Sequence, residues 1–379
     1  MFGLQDQGNP QAGDRGLTRN GGLARGLRRA AAGAVCAAAI AVPLAGAAAA
    51  QAAAAPHALT STWTSLTLQN GWHNFVFGTA APAVTNISGI VHLKGAIATS
   101  GTNQEPFTLP AGDRPATAIY VPVDMGAATA GRLAILPTGV VFVASEQNWS
   151  NAQVLTSLDG VSFATSGSSF TPLTLKNGWT GFGPSTPFPA VRSSNGIVRF
   201  RGLMRTTGSN PEPFILPAAF RPNHEVYVPV TLCNANNGRL HIYSSGVVAV
   251  EAEGGTFSNA ACFTSLDGAW FAKSAGLYTQ LTLQNGWFNY PFGTTTAAVR
   301  KISGIVHLEG AIAGGTLPQA FTLPAGFRPA HNVYVPVDLN NANKGLALID
   351  SNGQVSVFAE GSQSDATTFT SLDGVSFAP

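Results

Sequence analysis

Residues 304–337 read GIVHLEGAIAGGTLPQAFTLPAGFRPAHNVYVPV, and this run occurs twice earlier in the chain. From Gly89 it appears as GIVHLKGAI and continues to FTLPAGDRPATAIYVPV; from Gly196 it appears as GIVRFRGLM and continues to FILPAAFRPNHEVYVPV. Marker residues keep the same step. Trp72, Trp179 and Trp287 of three NGW tripeptides lie 107 and 108 residues apart, Arg114, Arg221 and Arg328 lie 107 and 107 apart, and Asp159, Asp267 and Asp373 of three TSLDG runs lie 108 and 106 apart. Solenoid and propeller units repeat at roughly 20–50 residues, so a unit of this length is a domain able to bury its own core. The expected modules are residues 62–164, 170–272 and 278–379. The connections TSGSS (165–169) and KSAGL (273–277) are too short to let them roam.

Within a module the pattern is β. In the second copy Val198, Phe200, Gly202 and Met204 alternate with Arg199, Arg201, Leu203 and Arg205, the period of a half-buried strand. In the first copy Val91, Leu93, Gly95 and Ile97 alternate with His92, Lys94 and Ala96 in the same way. Val333, Val335 and Val337 share one strand face, with Tyr334, Pro336 and Asp338 on the other. A proline cannot donate to a ladder, so Pro122, Pro229 and Pro336 mark an edge or a bulge. Short strands flank Gly139, Gly246 and Gly353, and Asn352-Gly353 is a favoured hairpin dipeptide. No helical period long enough for a helix follows the leader. The expected fold is all-β: three tandem jelly-roll-like β-sandwich modules.

The order GIV-x-L-x-G, then FTLPAG-x-RP, a Val-rich strand, G-x-V, and a closing SLDGVSF resembles the C-terminal β-sandwich domains of phage tail-fibre and receptor-binding proteins, and related modules of secreted bacterial proteins. The resemblance covers most of each copy and rests on turns and core strands. It implies trimeric recognition of host-surface saccharides. In a single chain carrying three copies, it implies closure into an intramolecular pseudo-trimer.

Residues 1–52 read as an export signal with an Ala-rich leader, Arg28-Arg29 also admitting a twin-arginine reading, or alternatively as a retained membrane anchor: Arg25, Arg28 and Arg29 precede an uncharged run from Ala30, interrupted by Pro43 and ending in small residues. The expected location is secreted or envelope-associated, with no membrane contact after signal removal. The whole chain carries 20 basic and 18 acidic residues. The leader holds five Arg and two Asp, which leaves 15 against 16 and a net charge of −1 on the rest. That balance supplies no basic stripe for nucleic acid. Charged residues make up 10% of the chain, so the surface must be built from neutral hydrogen-bonding groups. Beyond the leader only Cys233 and Cys262 remain, both in the second copy. They read either as a disulfide, which an oxidising compartment permits, or as two buried thiols.

Several residues recur in every copy and are candidates for function. Tyr120, Tyr227 and Tyr334 face away from the valine core, to be covered by a neighbouring module, by a flat sugar ring, or by a loop of their own module. Trp72, Trp179 and Trp287 follow Asn-Gly turns, either as saccharide platforms or as core plugs. Arg114, Arg221 and Arg328 with Asp159, Asp267 and Asp373 read as turn-bracing ion pairs or Asx-type turns, or alternatively as a shared anion or sugar site. Lys94, Arg201 and Glu309 are equivalent and set an acidic copy against basic ones across a seam. The histidines scatter, only His92 and His307 being equivalent, so no hydrolytic triad assembles on paper. Glu105 and Glu212 become Gln319 in the third copy, which removes a repeated glycosidase pair. The loop 338–345 lacks the bidentate Glu of a calcium loop. The expectation is a non-catalytic protein without metal or cofactor that binds a saccharide or cell-surface polymer. The competing class is a structural or protein-interaction component of the envelope.

Overall fold

The computed structural model describes residues 62–184, 186–273 and 277–379, and in them the chain is all-β. The leader, including the basic segment and Pro43, lies outside the described residues. Each copy builds three antiparallel sheets in the same order. In the first copy Thr64–Ser65, Ala83–Ile87, Ile90–Lys94 and Ser162–Ala164 form one sheet. Trp72–Asn74, Ala96–Thr99 and Thr156–Ser157 form the second, and Ile119–Asp124, Ala130–Ile135 and Val141–Ser145 the third. The second and third copies repeat this scheme and add a strand, Phe214–Ile215 or Gln319–Thr322, to the far side of the third sheet. In the first copy the corresponding place holds a single bridge, Thr108 to Val140.

Local sequence sets the hairpins. Ser88-Gly89, Asn195-Gly196 and Ser303-Gly304 each place two successive residues at positive φ, which is what a two-residue primed turn needs. Pro122, Pro229 and Pro336 sit on strands that end their sheets, where a missing N–H costs no ladder bond.

The alternating run of the second copy is two strands rather than one. It breaks at Gly202, where φ is +106° and an added Cβ would lie 2.5 Å from the Phe188 carbonyl oxygen. Ile197–Arg201 belongs to one sheet and Leu203–Thr206 to another. Gly95 and Gly310 do the same at +94° and +95°. Only glycine combines that backbone with that proximity.

Three six-residue helices, Trp149–Val154, Phe257–Cys262 and Gln363–Thr368, stand at equivalent places, against the expectation of none. Each runs less than two turns and buries one alanine, Ala152, Ala260 or Ala366, so no apolar period announces it. Cys262 ends the second of these helices and forms a disulfide with Cys233, whose Cα lies 5.9 Å away.

Each third of the described chain has its own apolar cluster, with Trp72, Trp179 or Trp287 among its members. The faces read as outward are largely covered too. His92, Ala96, Leu203 and Asp338 are all buried, whereas Arg205 is exposed. The three proline-bearing strands, Ile119–Asp124, Val226–Thr231 and Val333–Asp338, lie against one another pairwise. Among the described residues no helix is long and apolar enough to cross a membrane.

Candidate functional site

Trp72, Trp179 and Trp287 are 5%, 3% and 5% exposed. Each indole N–H donates to a backbone carbonyl across the turn, Asn103, Asn210 or Leu317, at 2.8–2.9 Å. The reading as saccharide platforms is therefore corrected: a ring buried on both faces offers nothing for a sugar to stack on, and the Asn-Gly turn closes over it as a plug.

Tyr120, Tyr227 and Tyr334 sit at seams between copies. Tyr120 packs edge-on against Phe263 of the second copy at 5.1 Å, Tyr227 against Phe369 of the third at 4.8 Å, and Tyr334 against Phe75 of the first at 6.4 Å. Their carbonyls accept from Ser265, Ser371 and Ser157 Oγ at 2.6, 2.7 and 2.6 Å. The second copy thus reaches the first, the third the second, and the first the third, so the contacts close on themselves.

The expected arginine–aspartate ion pairs do not form. Arg114, Arg221 and Arg328 each donate Nε to the carbonyl five residues back, Leu109, Leu216 or Leu323, at 2.8–3.0 Å. There they pack against the hairpin glycines Gly139, Gly246 and Gly353. The aspartates belong to the seam instead. Asp159, Asp267 and Asp373 accept from Gly95, Gly202 and Gly310 N–H of their own copy at 2.9, 2.9 and 3.2 Å, and Asp267 also accepts from the Tyr120 N–H of the neighbour at 3.4 Å. Burial pushes these carboxyls up to about 7, 6 and 8, against the pull of those N–H groups. The glycine after each aspartate has φ between +81° and +85° and faces a valine of the next copy, Val335, Val121 or Val228. The Asp-Gly dipeptide is thus a docking corner.

Sequence reasoning missed two further sets of residues that converge from all three copies. Glu146, Glu253 and Glu360, spaced 107 and 107 residues apart, bring carboxylate oxygens within 4.8 Å of one another. Each accepts from another copy: Glu360 from the Ala130 N–H at 3.1 Å, Glu253 from the Lys344 N–H at 3.2 Å, and Glu146 from the Asn236 side-chain amide at 2.7 Å. Oxygens of this kind are the donors a hard divalent cation takes, and without one the cluster holds protons. Burial, then the neighbouring glutamates, raise Glu146 to about 8; burial, then Glu253, raise Glu360 to about 7; Glu253 also rises, chiefly through burial.

A folded-state pKa above the unfolded value means the native state binds the extra protons. Its contribution is therefore full below about pH 4.5 and is lost as pH rises through 7–8. The melting temperature is expected to fall between pH 5 and 8, and Glu146→Gln/Glu253→Gln/Glu360→Gln to flatten that slope in calorimetry. An unchanged slope would remove the cluster from the account. Equal spacing of one residue type was the available signal. His92, Arg199 and His307, of which the sequence showed only that the two histidines are equivalent, are the second set to converge.

A cleft of about 540 Å³ lies between the second and third copies. Phe257, Glu251, Gly254 and Gly255 line one side, and Asn341 and Asn343 the other. Its volume is in the range of small-ligand sites.

Compared with protein-family models, curated proteins and solved structures, the chain matches none.

The chemistry of the cleft must therefore be read from its own groups. Burial works to raise the Glu251 carboxyl. A hydrogen bond from His241 and the Arg239 guanidinium, 2.6 Å away, outweigh it and hold Glu251 at about 2, so this wall carries an ionised carboxylate whose oxygens are engaged by Arg239 and His241. Gly254 and Gly255, both at positive φ with open space where a Cβ would stand, leave the backbone bare to a ligand. Asn341 is exposed and Asn343 half-buried, its amide donating to Asp365 at 2.8 Å. One aromatic ring beside amides and a carboxylate suits a polyhydroxylated ring, which needs an apolar face and in-plane hydrogen bonds.

Proposed function

We propose that the protein is a secreted, non-catalytic binding protein that recognises a saccharide or cell-surface polymer, its three β-sandwich copies closed into an intramolecular pseudo-trimer. The observation that carries the binding reading is the seam cleft, with Phe257 and Asn341 on opposite walls. The pseudo-trimer is supported by the closed ring of Ser157, Ser265 and Ser371 contacts. The likeness to phage receptor-binding domains and the export leader belong to the same proposal.

On a glycan array and in titration calorimetry with any saccharide so found, Phe257→Ala is expected to weaken binding about fivefold or more, since truncating an anchoring residue costs more than about 1 kcal/mol. Undiminished binding would move the site elsewhere. Small-angle scattering checks the arrangement: a closed assembly of this length has a radius of gyration near roughly 20 Å, and a clearly larger value means beads in a row.

The second reading, a structural or protein-interacting envelope component, is favoured by a different observation. Phe77 and Phe292, on equivalent loops after the NGW turns, are 70% and 68% exposed, and Phe288 is 53% exposed. A folded protein that binds no saccharide on the array would support this alternative.

A further inference from the structure

The hairpin turns of the three copies meet around a cavity of about 60 Å³. Its mouth carries the exposed turn residues Ser88, Asn195 and Ser303, each at positive φ. Ile90, Ile197 and Ile305, 3–5% exposed, form an apolar collar, and His92, Arg199 and His307 line it from the next inward-facing position of the same strands. A void needs roughly 10–15 Å³ to hold one water, so this one admits a small polyatomic ion.

Two features of the lining specify what kind. Arg199 donates Nη1 to Ser162 Oγ at 3.1 Å and forms no ion pair with a carboxylate among the described residues, so its charge calls for an anion. His307, 2% exposed, places Nδ1 3.1 Å from the Ile305 carbonyl. A carbonyl only accepts, so Nδ1 carries the hydrogen, and Nε2 of the neutral ring is a lone pair. That Nε2 is buried without a partner. Arg199 lies over the Trp270 ring at 5.9 Å but has no carboxylate partner, and His307, with its unpartnered Nε2, lines the same cavity, so a ligand offering both negative oxygens and a hydroxyl would satisfy both.

We propose that this cavity binds a small oxyanion that still carries a proton, of the hydrogen-phosphate or hydrogen-carbonate class, with its negative oxygens on the Arg199 guanidinium and its hydroxyl donating to His307 Nε2. The ring stays neutral for this role: burial, then the charge of Arg199, hold His307 at about 3, and Arg300 on the adjoining strand acts the same way. His92, lowered by burial and by Arg199 and His307, is neutral as well. Burial and Arg192 bring Arg199 down only to about 10, so it keeps its proton at neutral pH. The isoleucine collar strips water from the entering ion, which strengthens both contacts and penalises an ion that cannot make both.

Titration calorimetry on the folded protein at pH 7, with inorganic phosphate and then with sulfate, tests the assignment. The two are tetrahedral oxyanions of similar size, and the hydrogen-phosphate dianion has sulfate's charge, but only phosphate carries a hydroxyl at this pH. Phosphate is expected to bind at least about tenfold more tightly than sulfate, because sulfate sets an oxygen against the His307 lone pair. Arg199→Leu is expected to lose phosphate binding by a further tenfold or more. Arg199→His, which puts the first and third copies' side chain at this position, is the fallback if the leucine variant fails to fold. Sulfate binding as tightly as phosphate, or no heat with phosphate in the wild-type protein, would overturn the proposal.

Discussion

Lys344→Met is expected to destabilise the protein by about 3–5 kcal/mol, the usual cost of removing one partner from a buried ion pair. Lys344 Nζ is enclosed at the seam between the third and first copies, donating to Asp124 Oδ1 at 2.6 Å, to the Gly345 carbonyl at 2.8 Å and to the Ala128 carbonyl at 3.1 Å. Asp124 is fully buried and its other oxygen is unpaired, so without the ammonium nothing compensates its charge. Burial alone pushes its carboxyl up to about 6 despite the lysine.

The repeat supplies a control. Where the first copy has Asp124, the second has the neutral Thr231; where the third has Lys344, the second has Asn237, whose amide donates to the Ala342 carbonyl at 2.8 Å. The double substitution Asp124→Thr/Lys344→Ala, which sets together the equivalents Thr231 and Ala130 of the first–second seam, is therefore expected to recover most of the loss in urea unfolding. If Lys344→Met alone costs under about 1 kcal/mol, the pair is not as enclosed as described. At the second–third seam Arg239 plays the corresponding part toward Asp338, at 3.1 Å, and the first copy replaces the ion pair by Arg132 donating to the Leu232 carbonyl at 3.2 Å. Three seams of one design thus carry three different polar solutions.

Trp179→Ala is expected to cost about 3–5 kcal/mol, the range for truncating a buried large aromatic. The indole fills the second copy's core, meets Phe257 edge-on at 6.2 Å, and satisfies the Asn210 carbonyl at 2.9 Å. Its removal leaves both a void and an unpaired carbonyl beneath the Asn177-Gly178 turn. A lowered denaturation midpoint with an unchanged slope is the expected signature. Near-normal stability with lost saccharide binding would instead restore the platform role that its burial argues against.

Much of the fold was legible because it is local. Asn-Gly and Ser-Gly turns need positive φ, prolines need sheet edges, and alternating valines need a core, and each of these requirements is written within a few residues. The cysteines of the second copy were readable because the other copies lack them. The short helices escaped notice because six residues burying one alanine leave no period to see. Tyr120, Tyr227, Tyr334 and the three TSLDG aspartates were visible as recurrent, but not as seam residues. Their partners lie some 145 positions away in another copy, as Ser265 does from Tyr120.

By itself the sequence determined that one β unit is used three times and which residues are equivalent, since spacing and composition suffice for that. Whether equivalent residues converge or stay apart was decided only by the tertiary structure. The same 107-residue step that brings the glutamates of positions 146, 253 and 360 within 4.8 Å of each other leaves the three tryptophans in three separate cores. The reason is geometric. A repeat fixes what each copy presents, and the packing of the copies against one another fixes which of those faces meet.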